Sequence, residues 1–177
     1  MPAINRETST LLLVDFQSRL MPAIDEGPSI VANARRLLEA AIMLDVPVLL
    51  TEQNVGGLGA TLPELRSSVD RTVHKMTFDA CRTPGFLESL PDRPQLIVAG
   101  CETHVCVLQT VLGLLQAGRH VFAVRDALGS RRSESKETAI RRMERNGAEI
   151  VTTEMVVFEW LRTAEDPHLR DVIDLIK

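Results

Sequence analysis

The stretch Leu96-Ile-Val-Ala-Gly-Cys-Glu-Thr-His-Val-Cys-Val-Leu-Gln-Thr110 turns from strand-like to helix-like sequence within a few residues. Residues 96–99 form a short apolar run that predicts a buried strand, and Gly100 ends it. A helix is predicted almost at once, because apolar residues then recur at helical spacing as far as Gly118. This order of elements is typical of an α/β protein built on a parallel sheet.

The rest of the chain repeats this alternation of strand and helix. Five further strands are predicted, at residues 10–14, 46–50, 71–74, 120–124 and 149–152. Helices are predicted at residues 30–44, 84–90, 133–146 and from 154 onward, whereas the glycine-rich residues 54–59 predict a loop. We therefore expect six parallel strands with helices on both faces, in a single domain spanning residues 1–177.

The composition excludes several classes of protein. A chain of 177 residues with 45% hydrophobic and 25% charged residues is typical of a globular protein. Its net charge of −4 provides no broad basic surface, so we expect no nucleic-acid partner. We also expect a cytoplasmic protein without a membrane partner, because no apolar run approaches the ~20 residues that span a bilayer and no signal peptide is recognisable. The odd number of cysteines favours free thiols in a reducing compartment.

Three chemically reactive side chains follow predicted strands. Asp15 follows the first strand, Lys75 the third and Cys106 the fourth. Parallel strands end at one edge of a sheet, and ligands bind at that edge near the point where the strand order reverses. Each residue also has a structural interpretation: Asp15 as a turn former, Lys75 as a solvated side chain and Cys106 as a small buried one.

Cys106 has the strongest local argument for a chemical role. If Thr103 caps the helix, Cys106 is the third helical residue, where backbone N–H groups have no intrahelical partner. The positive end of the helix would favour a thiolate, and the N–H of Cys106 would be free to stabilise an oxyanion. His104 is two residues away and faces another direction, so a Cys–His pair is not expected, while His74 stays open as a pocket residue.

Four segments resemble the isochorismatase-like cysteine hydrolases. Residues 98–110 resemble the nucleophile motif of that family, Leu13-Val-Asp-Phe-Gln17 its aspartate motif, His74-Lys-Met-Thr-Phe-Asp79 its lysine motif and Val124-Arg-Asp-Ala-Leu-Gly-Ser-Arg131 its fifth-strand segment. The resemblance covers about residues 9–160. It implies a three-layer α/β/α fold with sheet order 3-2-1-4-5-6 and a catalytic triad of Asp15, Lys75 and Cys106. In that order Lys75 lies two strand spacings from Asp15, so its place in the triad rests on the resemblance.

The same resemblance implies further features. The peptide bond between Cys101 and Glu102 would be cis, with the Glu102 N–H beside that of Cys106 in an oxyanion hole. The nicotinamidase branch has a metal-binding Asp-x-His pair where this chain has Thr51-Glu-Gln-Asn54, so we expect no metal and no other cofactor. A homo-oligomer is also implied. The apolar residues 155–161 are then either a core helix or a subunit contact.

The expected activity is attack by the Cys106 thiolate on the carbonyl carbon of a small amide or related C–N compound. Asp15 would transfer protons, and Lys75 would lower the pKa of the thiol and hold Asp15 in place. Two alternatives stay open: acid-catalysed hydrolysis of an isochorismate-type vinyl ether, and a non-catalytic interaction or thiol-sensing role. The residues expected to line the substrate pocket are Phe16, Gln17, Gln53, Phe78 and Glu102.

Overall fold

The computed structural model of the protein describes residues 3–177, in which six strands form one parallel sheet. The strands are β1 (Ser9–Val14), β2 (Val48–Gln53), β3 (Thr72–Lys75), β4 (Gln95–Cys101), β5 (His120–Gly129) and β6 (Glu149–Val151). Their order is β3-β2-β1-β4-β5-β6, and every neighbouring pair is parallel. The predicted α/β class and strand order are confirmed. The order reverses between β1 and β4, which places a ligand-binding crevice at their carboxyl ends.

Helices cover both faces of the sheet. They are α1 (Gly27–Met43), α2 (Val55–Leu58), α3 (Pro63–Arg66), α4 (Phe86–Ser89), α5 (Leu108–Gln116), α6 (Ser133–Arg145), α7 (Thr153–Leu161) and α8 (Leu169–Ile176). A π-helical turn, Thr103–Val107, leads directly into α5. None of the helices within residues 3–177 has both the length and the apolar character needed to cross a bilayer.

Alternate side chains of the central strands pack into two separate cores. Leu11 and Leu13 of β1 belong to the core beneath α1, α7 and α8. Leu12 and Val14 belong to the core beneath α4, α5 and α6, which also contains Cys106. Because both faces of the sheet are covered, β1 is apolar along its whole length instead of alternating with polar residues.

The C-terminal segment contributes mainly to the first of these cores. Val156, Val157, Trp160 and Leu161 of α7 are buried there, which supports the core-helix interpretation of residues 155–161. Met155 and Phe158, on the outer side of the same helix, are 46% and 41% exposed. The predicted continuous helical tail is wrong in one respect, because α7 ends at Leu161 and α8 begins only at Leu169.

Two strands extend further than their apolar runs predict. β2 continues through Thr51, Glu52 and Gln53, which are buried despite being polar and which pair with β3. β5 continues to Gly129 after a register shift against β4 between Val98 and Gly100. Both extensions lie at the carboxyl edge of the sheet, where polar side chains form hydrogen bonds with one another instead of packing against apolar ones.

Gly100 allows β1 and β4 to approach closely at this edge. Its φ is +155°, and it pairs with Val14 in the ladder. A Cβ atom at position 100 would overlap the carbonyl oxygen of Val14 and lie 2.6 Å from its Cβ atom. A side chain here would push the strands apart, and with them Asp15 and the helical turn that carries Cys106.

Candidate active site

The three predicted catalytic side chains come together at the carboxyl edge of the sheet. Nζ of Lys75 lies 2.8 Å from Oδ2 of Asp15, and both side chains are fully buried. Cys106 is 6% exposed, and the charges of Asp15 and Lys75 both act on the pKa of its thiol. A carboxylate, an ammonium group and a thiol therefore share one small buried volume.

Asp15 ends β1 with a sharp change of backbone direction. Its φ of +54° is left-handed, a conformation that aspartate adopts more readily than most residues. Its N–H still donates to the carbonyl of Thr51 (3.1 Å), so the turn stays attached to β2. Oγ1 of Thr51 donates to Oδ1 of the Asp15 carboxylate at 2.7 Å. The turn and this hydrogen bond together fix the direction of the carboxylate.

Lys75 is the last residue of β3, and its side chain crosses β2 to reach Asp15. The ammonium group donates to Oδ2 of Asp15 and to Oε1 of Gln53, each at 2.8 Å. The carbonyl oxygens of Thr77 and Phe78 lie 3.3 and 3.4 Å away. The two-strand separation is thus bridged by the length of the lysine stem, and the charge is surrounded by acceptors.

The helix that carries Cys106 begins differently from the prediction. Glu102 precedes its first residue, and the Thr103 hydroxyl donates to the carbonyl of Gly129 (2.9 Å) instead of capping the helix. Cys106 is therefore the fourth residue of the helix, within a π-helical turn in which the Val107 N–H donates to the Glu102 carbonyl. Single π-helical turns occur frequently at functional sites, because they change the direction in which a side chain points.

The surroundings of Cys106 favour the neutral thiol over the thiolate. Burial and the negative charge of Asp15 raise its pKa to about 12, although the positive charge of Lys75 opposes the shift. This direction is opposite to the one that the helix position alone predicts, because desolvation and Asp15 outweigh Lys75. A reaction of this sulfur requires a base, and Asp15 is the neighbouring carboxylate.

The backbone of Glu102 precedes the helical turn that carries Cys106, whereas its side chain bonds to Arg131. The Cys101–Glu102 peptide bond is cis, at the position for which the resemblance implied it. The Glu102 carboxylate accepts hydrogen bonds from the backbone N–H and from Nε of Arg131, both at 3.0 Å. Its role as a pocket-lining side chain stays a prediction. Cys101 packs in the core on the opposite face from Cys106.

The four side chains predicted to bind substrate have different surroundings. Phe16 is 1% exposed and packs in the core on the α1 face, so its predicted pocket role is wrong. Gln17 donates to the carbonyls of Gln53 and Gly59 and accepts from the Gln53 N–H. Gln53 binds Lys75 and Met76 and is likewise not free for a substrate. Phe78, 51% exposed, is the one of the four that is open to a ligand.

The two histidines near the motifs have partners of their own. Nδ1 of His104 lies 2.9 Å from Oγ of Ser130, and Nδ1 of His74 lies 3.2 Å from Oε2 of Glu52. No cluster of three or more potential His, Cys, Asp or Glu ligands occurs within residues 3–177. The absence of a metal stays a prediction.

A model of the isochorismatase domain matches residues 9–155 of the chain. The chain belongs to the isochorismatase family. A relative of this isochorismatase-family protein, isochorismatase domain-containing protein 2A of Mus musculus, is 39% identical over 174 residues, covering 97% of this chain and 84% of the relative.

Two solved structures of this family superpose closely on the chain. A protein of Caenorhabditis elegans, described as the MAR1 ribonuclease, has a TM-score of 0.93 at 34% identity, covering 99% of this chain and 92% of its own. The YcaC gene product of Escherichia coli, described as an octameric hydrolase of unknown specificity, has a TM-score of 0.90 at 25% identity. The match covers 99% of this chain and 95% of the E. coli chain.

Proposed function

We propose that this protein is a cysteine hydrolase that cleaves a small amide or a related C–N compound. Cys106 is the nucleophile, Asp15 the general base and acid, and Lys75 the cation that stabilises the Asp15 carboxylate. One observation carries the proposal: the fully buried Lys75–Asp15 ion pair, with 2.8 Å between Nζ and Oδ2, acts directly on the buried Cys106 thiol.

A structural role alone explains this arrangement poorly. Transferring an ammonium group and a carboxylate from water into a protein interior costs several kcal/mol for each ion. Apolar side chains of similar volume often give equal or greater stability, so a buried ion pair is weak evidence for a purely structural function. Its position beside a thiol at the strand-order reversal supports a chemical one.

The first half of the reaction forms a thioester. Oδ of Asp15 accepts the thiol proton as Sγ of Cys106 bonds to the substrate carbonyl carbon, and the C=O π electrons move onto oxygen. The backbone N–H groups of Glu102 and Cys106 are proposed to stabilise that oxyanion. When the tetrahedral intermediate collapses, the C–N bond breaks and Asp15 returns the proton to the leaving nitrogen.

The second half releases the acid. A water molecule transfers one proton to Asp15 as its oxygen bonds to the thioester carbon, and collapse of the second tetrahedral intermediate breaks the S–C bond. Asp15 then returns the proton to the Cys106 sulfur, which restores the resting enzyme. Lys75 keeps its proton throughout and stabilises the ionised state of Asp15.

Two other activities stay as alternatives. Vinyl ether hydrolysis would use Asp15 as an acid and form no bond to sulfur, and a thiol sensor would be oxidised at Cys106 without turnover. Intact-mass spectrometry of protein quenched during turnover separates them. An acyl adduct that disappears in Cys106→Ala supports the thioester route, whereas turnover without an adduct supports the vinyl ether route.

The direct test is an assay of hydrolysis with a panel of small primary amides, in which the ammonia released is measured. Cys106→Ala is expected to lower kcat by about 1000-fold or more, because both halves of the reaction require the sulfur. Cys81→Ala is the matched control, since Cys81 is a second free thiol outside the triad and the change should leave kcat within about twofold. Amide hydrolysis that survives Cys106→Ala would refute the proposal.

A substrate of low molecular weight, not RNA, is proposed for this site. The nucleophile is 6% exposed, and the net charge of −4 offers little attraction to a phosphate backbone. Because one similar structure is described as a ribonuclease, cleavage of a labelled single-stranded RNA should be measured alongside the amide assay. RNA cleavage that Cys106→Ala abolishes would replace the amide proposal.

We also propose a homo-oligomer located in the cytoplasm. Val55, Met76 and Phe78 are apolar and exposed beside the edge strand β3, with exposed fractions of 37%, 72% and 51%. Such patches are typical of subunit contacts, and the similar E. coli protein is described as an octamer. The three cysteines are free thiols, as expected in a reducing compartment. Light scattering of the purified protein measures the subunit number.

A further inference from the structure

We propose that Thr51 and Gln53 of β2 are positioning residues that hold Asp15 and Lys75 in their reactive geometry. This inference rests on the proposed function and extends it to two side chains that form hydrogen bonds with Asp15 and Lys75. β2 lies between β1 and β3 in the sheet, so its side chains on the Cys106 face lie beside the ion pair that Asp15 and Lys75 form across its end.

The register of the sheet places both residues on the required face. Thr51 pairs with Val14, the residue before Asp15, and Gln53 pairs with Lys75. Residues two apart on a strand point to the same side, so Thr51 and Gln53 share one face. Leu49, two residues earlier, packs in the same core as Cys106, which identifies that face.

The Gln53 carboxamide has one orientation that satisfies all its neighbours. Its Oε1 accepts from Nζ of Lys75 and its Nε2 donates to the carbonyl of Met76, both at 2.8 Å. The backbone N–H of Gln53 donates to Oε1 of Gln17 at 2.7 Å, and the backbone carbonyl of Gln53 accepts from Nε2 of Gln17 at 2.9 Å. Rotating the Gln53 amide would place its NH₂ group against the ammonium group, so a neutral acceptor is fixed toward Lys75.

Thr51 has the corresponding role for Asp15. Its hydroxyl donates to Oδ1 at 2.7 Å, while Lys75 donates to Oδ2 at 2.8 Å, so each carboxylate oxygen has its own donor. Thr51 is 1% exposed, and water does not replace this bond. The carboxylate can therefore transfer a proton to and from Cys106 without first reorienting.

A neutral acceptor at position 53 has a specific consequence. Among residues 3–177, the short contacts of the Lys75 ammonium group are those with Asp15 and Gln53, each at 2.8 Å, while the Thr77 and Phe78 carbonyls lie at 3.3 and 3.4 Å. A carboxylate at position 53 would compete with Asp15 for the same cation. Gln53→Glu is thus expected to draw Lys75 away from Asp15, and Gln53→Leu to leave the ammonium group without one of its two close partners.

The test uses alkylation of Cys106 by acrylamide, a neutral reagent that reports on the thiol without knowledge of the substrate. The rate at Cys106 is measured by peptide mass spectrometry, with Cys81 as an internal reference. Gln53→Leu, Gln53→Glu and Thr51→Val are expected to slow the reaction by about 10- to 100-fold, the effect of losing a hydrogen bond to a charged group. Thr51→Ser keeps the hydroxyl and should react within about threefold of the wild-type rate.

Gln109→Leu is the matched control, because Gln109 is exposed on α5 and outside the network. It should react at the wild-type rate. In a Lys75→Met background, adding Gln53→Leu is expected to change the alkylation rate of Cys106 by less than about twofold, because Gln53 acts on the site through Lys75. A purely structural contribution would instead add its full effect in that background. With an active amide, kcat should fall in Gln53→Leu while KM stays unchanged, because the Gln53 carboxamide is already bonded to Lys75 and Met76.

The outcomes separate this inference from the proposed function. If amide hydrolysis survives Cys106→Ala, the proposed function fails. If Cys106→Ala abolishes hydrolysis but Cys106 is alkylated in Gln53→Leu and Thr51→Val at the wild-type rate, the positioning roles are overturned and the hydrolase proposal stands. Circular dichroism checks the fold. Should Gln53→Leu fail to fold, the inference is tested by comparing Thr51→Val with Thr51→Ser. Equal alkylation rates of Cys106 in those two variants overturn it.

Discussion

The ammonium group of Lys75 lies 2.8 Å from the carboxylate of Asp15 although β2 separates their strands. This contact requires Lys75 to be the last residue of β3, where its stem can cross the end of β2. It also brings a positive charge near Cys106 without making the thiol acidic, because burial and Asp15 dominate its pKa. The candidate site therefore holds a thiol of raised pKa beside a buried carboxylate.

Asp15→Asn should separate thiol acidity from catalysis. Removing the negative charge is expected to lower the Cys106 pKa from about 12 while keeping it above the ordinary value of 9, because burial persists. Amide hydrolysis should nevertheless fall by about 1000-fold, since the general base is lost. Thiolate absorbance during a pH titration measures the first effect, with Cys106→Ala subtracted as the blank.

An unchanged or higher thiol pKa in Asp15→Asn would show that Asp15 does not act on the sulfur. Full hydrolytic activity with a lowered pKa would show that proton transfer by Asp15 is dispensable. Either result contradicts the mechanism, and each removes a different step of it.

Lys75→Met should destabilise the protein more than a surface substitution. The change leaves the Asp15 carboxylate buried without its cation, which costs about 3–5 kcal/mol in comparable buried pairs. Urea denaturation measures the free energy of unfolding. Adding Asp15→Asn to the same chain should restore much of the loss, because the unpaired charge is then removed. Equal stability of the single and double variants would argue against a buried ion pair.

Alkaline pH should weaken the fold through its buried thiols. The pKa of Cys106 is raised from 9 to about 12, so between these values the unfolded chain releases a proton that the folded chain retains. The unfolded state then binds fewer protons, and the free energy of unfolding falls as pH rises, by up to about 1.4 kcal/mol per pH unit for each such thiol. Burial raises the pKa of Cys81 and Cys101 in the same direction.

The measurement is urea denaturation at intervals from pH 8 to pH 11. Cys106→Ala removes one titrating thiol and should reduce the slope above pH 9, whereas Gln109→Leu should leave it unchanged. No tyrosine is present to add its own titration in this range. An identical slope in wild-type protein and Cys106→Ala would mean that the Cys106 pKa is not raised on folding.

Much of the fold follows from the sequence because the sheet is buried on both faces. Apolar runs such as residues 96–99 mark the strands, and their alternation with helices determines the class of fold. The ends of β2 and β5 do not follow, because Thr51, Gln53 and Asp126 are polar and their positions depend on hydrogen-bond partners elsewhere in the chain. Sequence spacing does not reveal those partners.

The site is predictable as a set of residues but not as a set of roles. Asp15, Lys75 and Cys106 follow from strand ends and family resemblance. The protonation state of the thiol depends on its burial, which a local helix argument leaves out. Phe16 points into the core because the left-handed turn at Asp15 changes the direction of the chain immediately before it.

Gly100→Ala should damage both stability and activity, because the glycine permits the close approach of β1 and β4. A methyl group there would overlap the Val14 carbonyl oxygen and would sit at a φ of +155°, which residues with a side chain rarely adopt. We expect a loss of about 3 kcal/mol or more in the free energy of unfolding. Amide hydrolysis should fall even at temperatures where the variant is folded, since Asp15 and Cys106 follow the two displaced strands.

Gly118→Ala provides the control for backbone strain alone. Its φ is +77°, and a Cβ atom there would have no neighbour within 4 Å, so the expected cost is about 1 kcal/mol, from the left-handed conformation only. Because Gly118 follows the far end of α5, hydrolysis should be unaffected. Comparable losses in the two variants would indicate that glycine flexibility, and not the contact between Gly100 and Val14, is what this edge of the sheet requires.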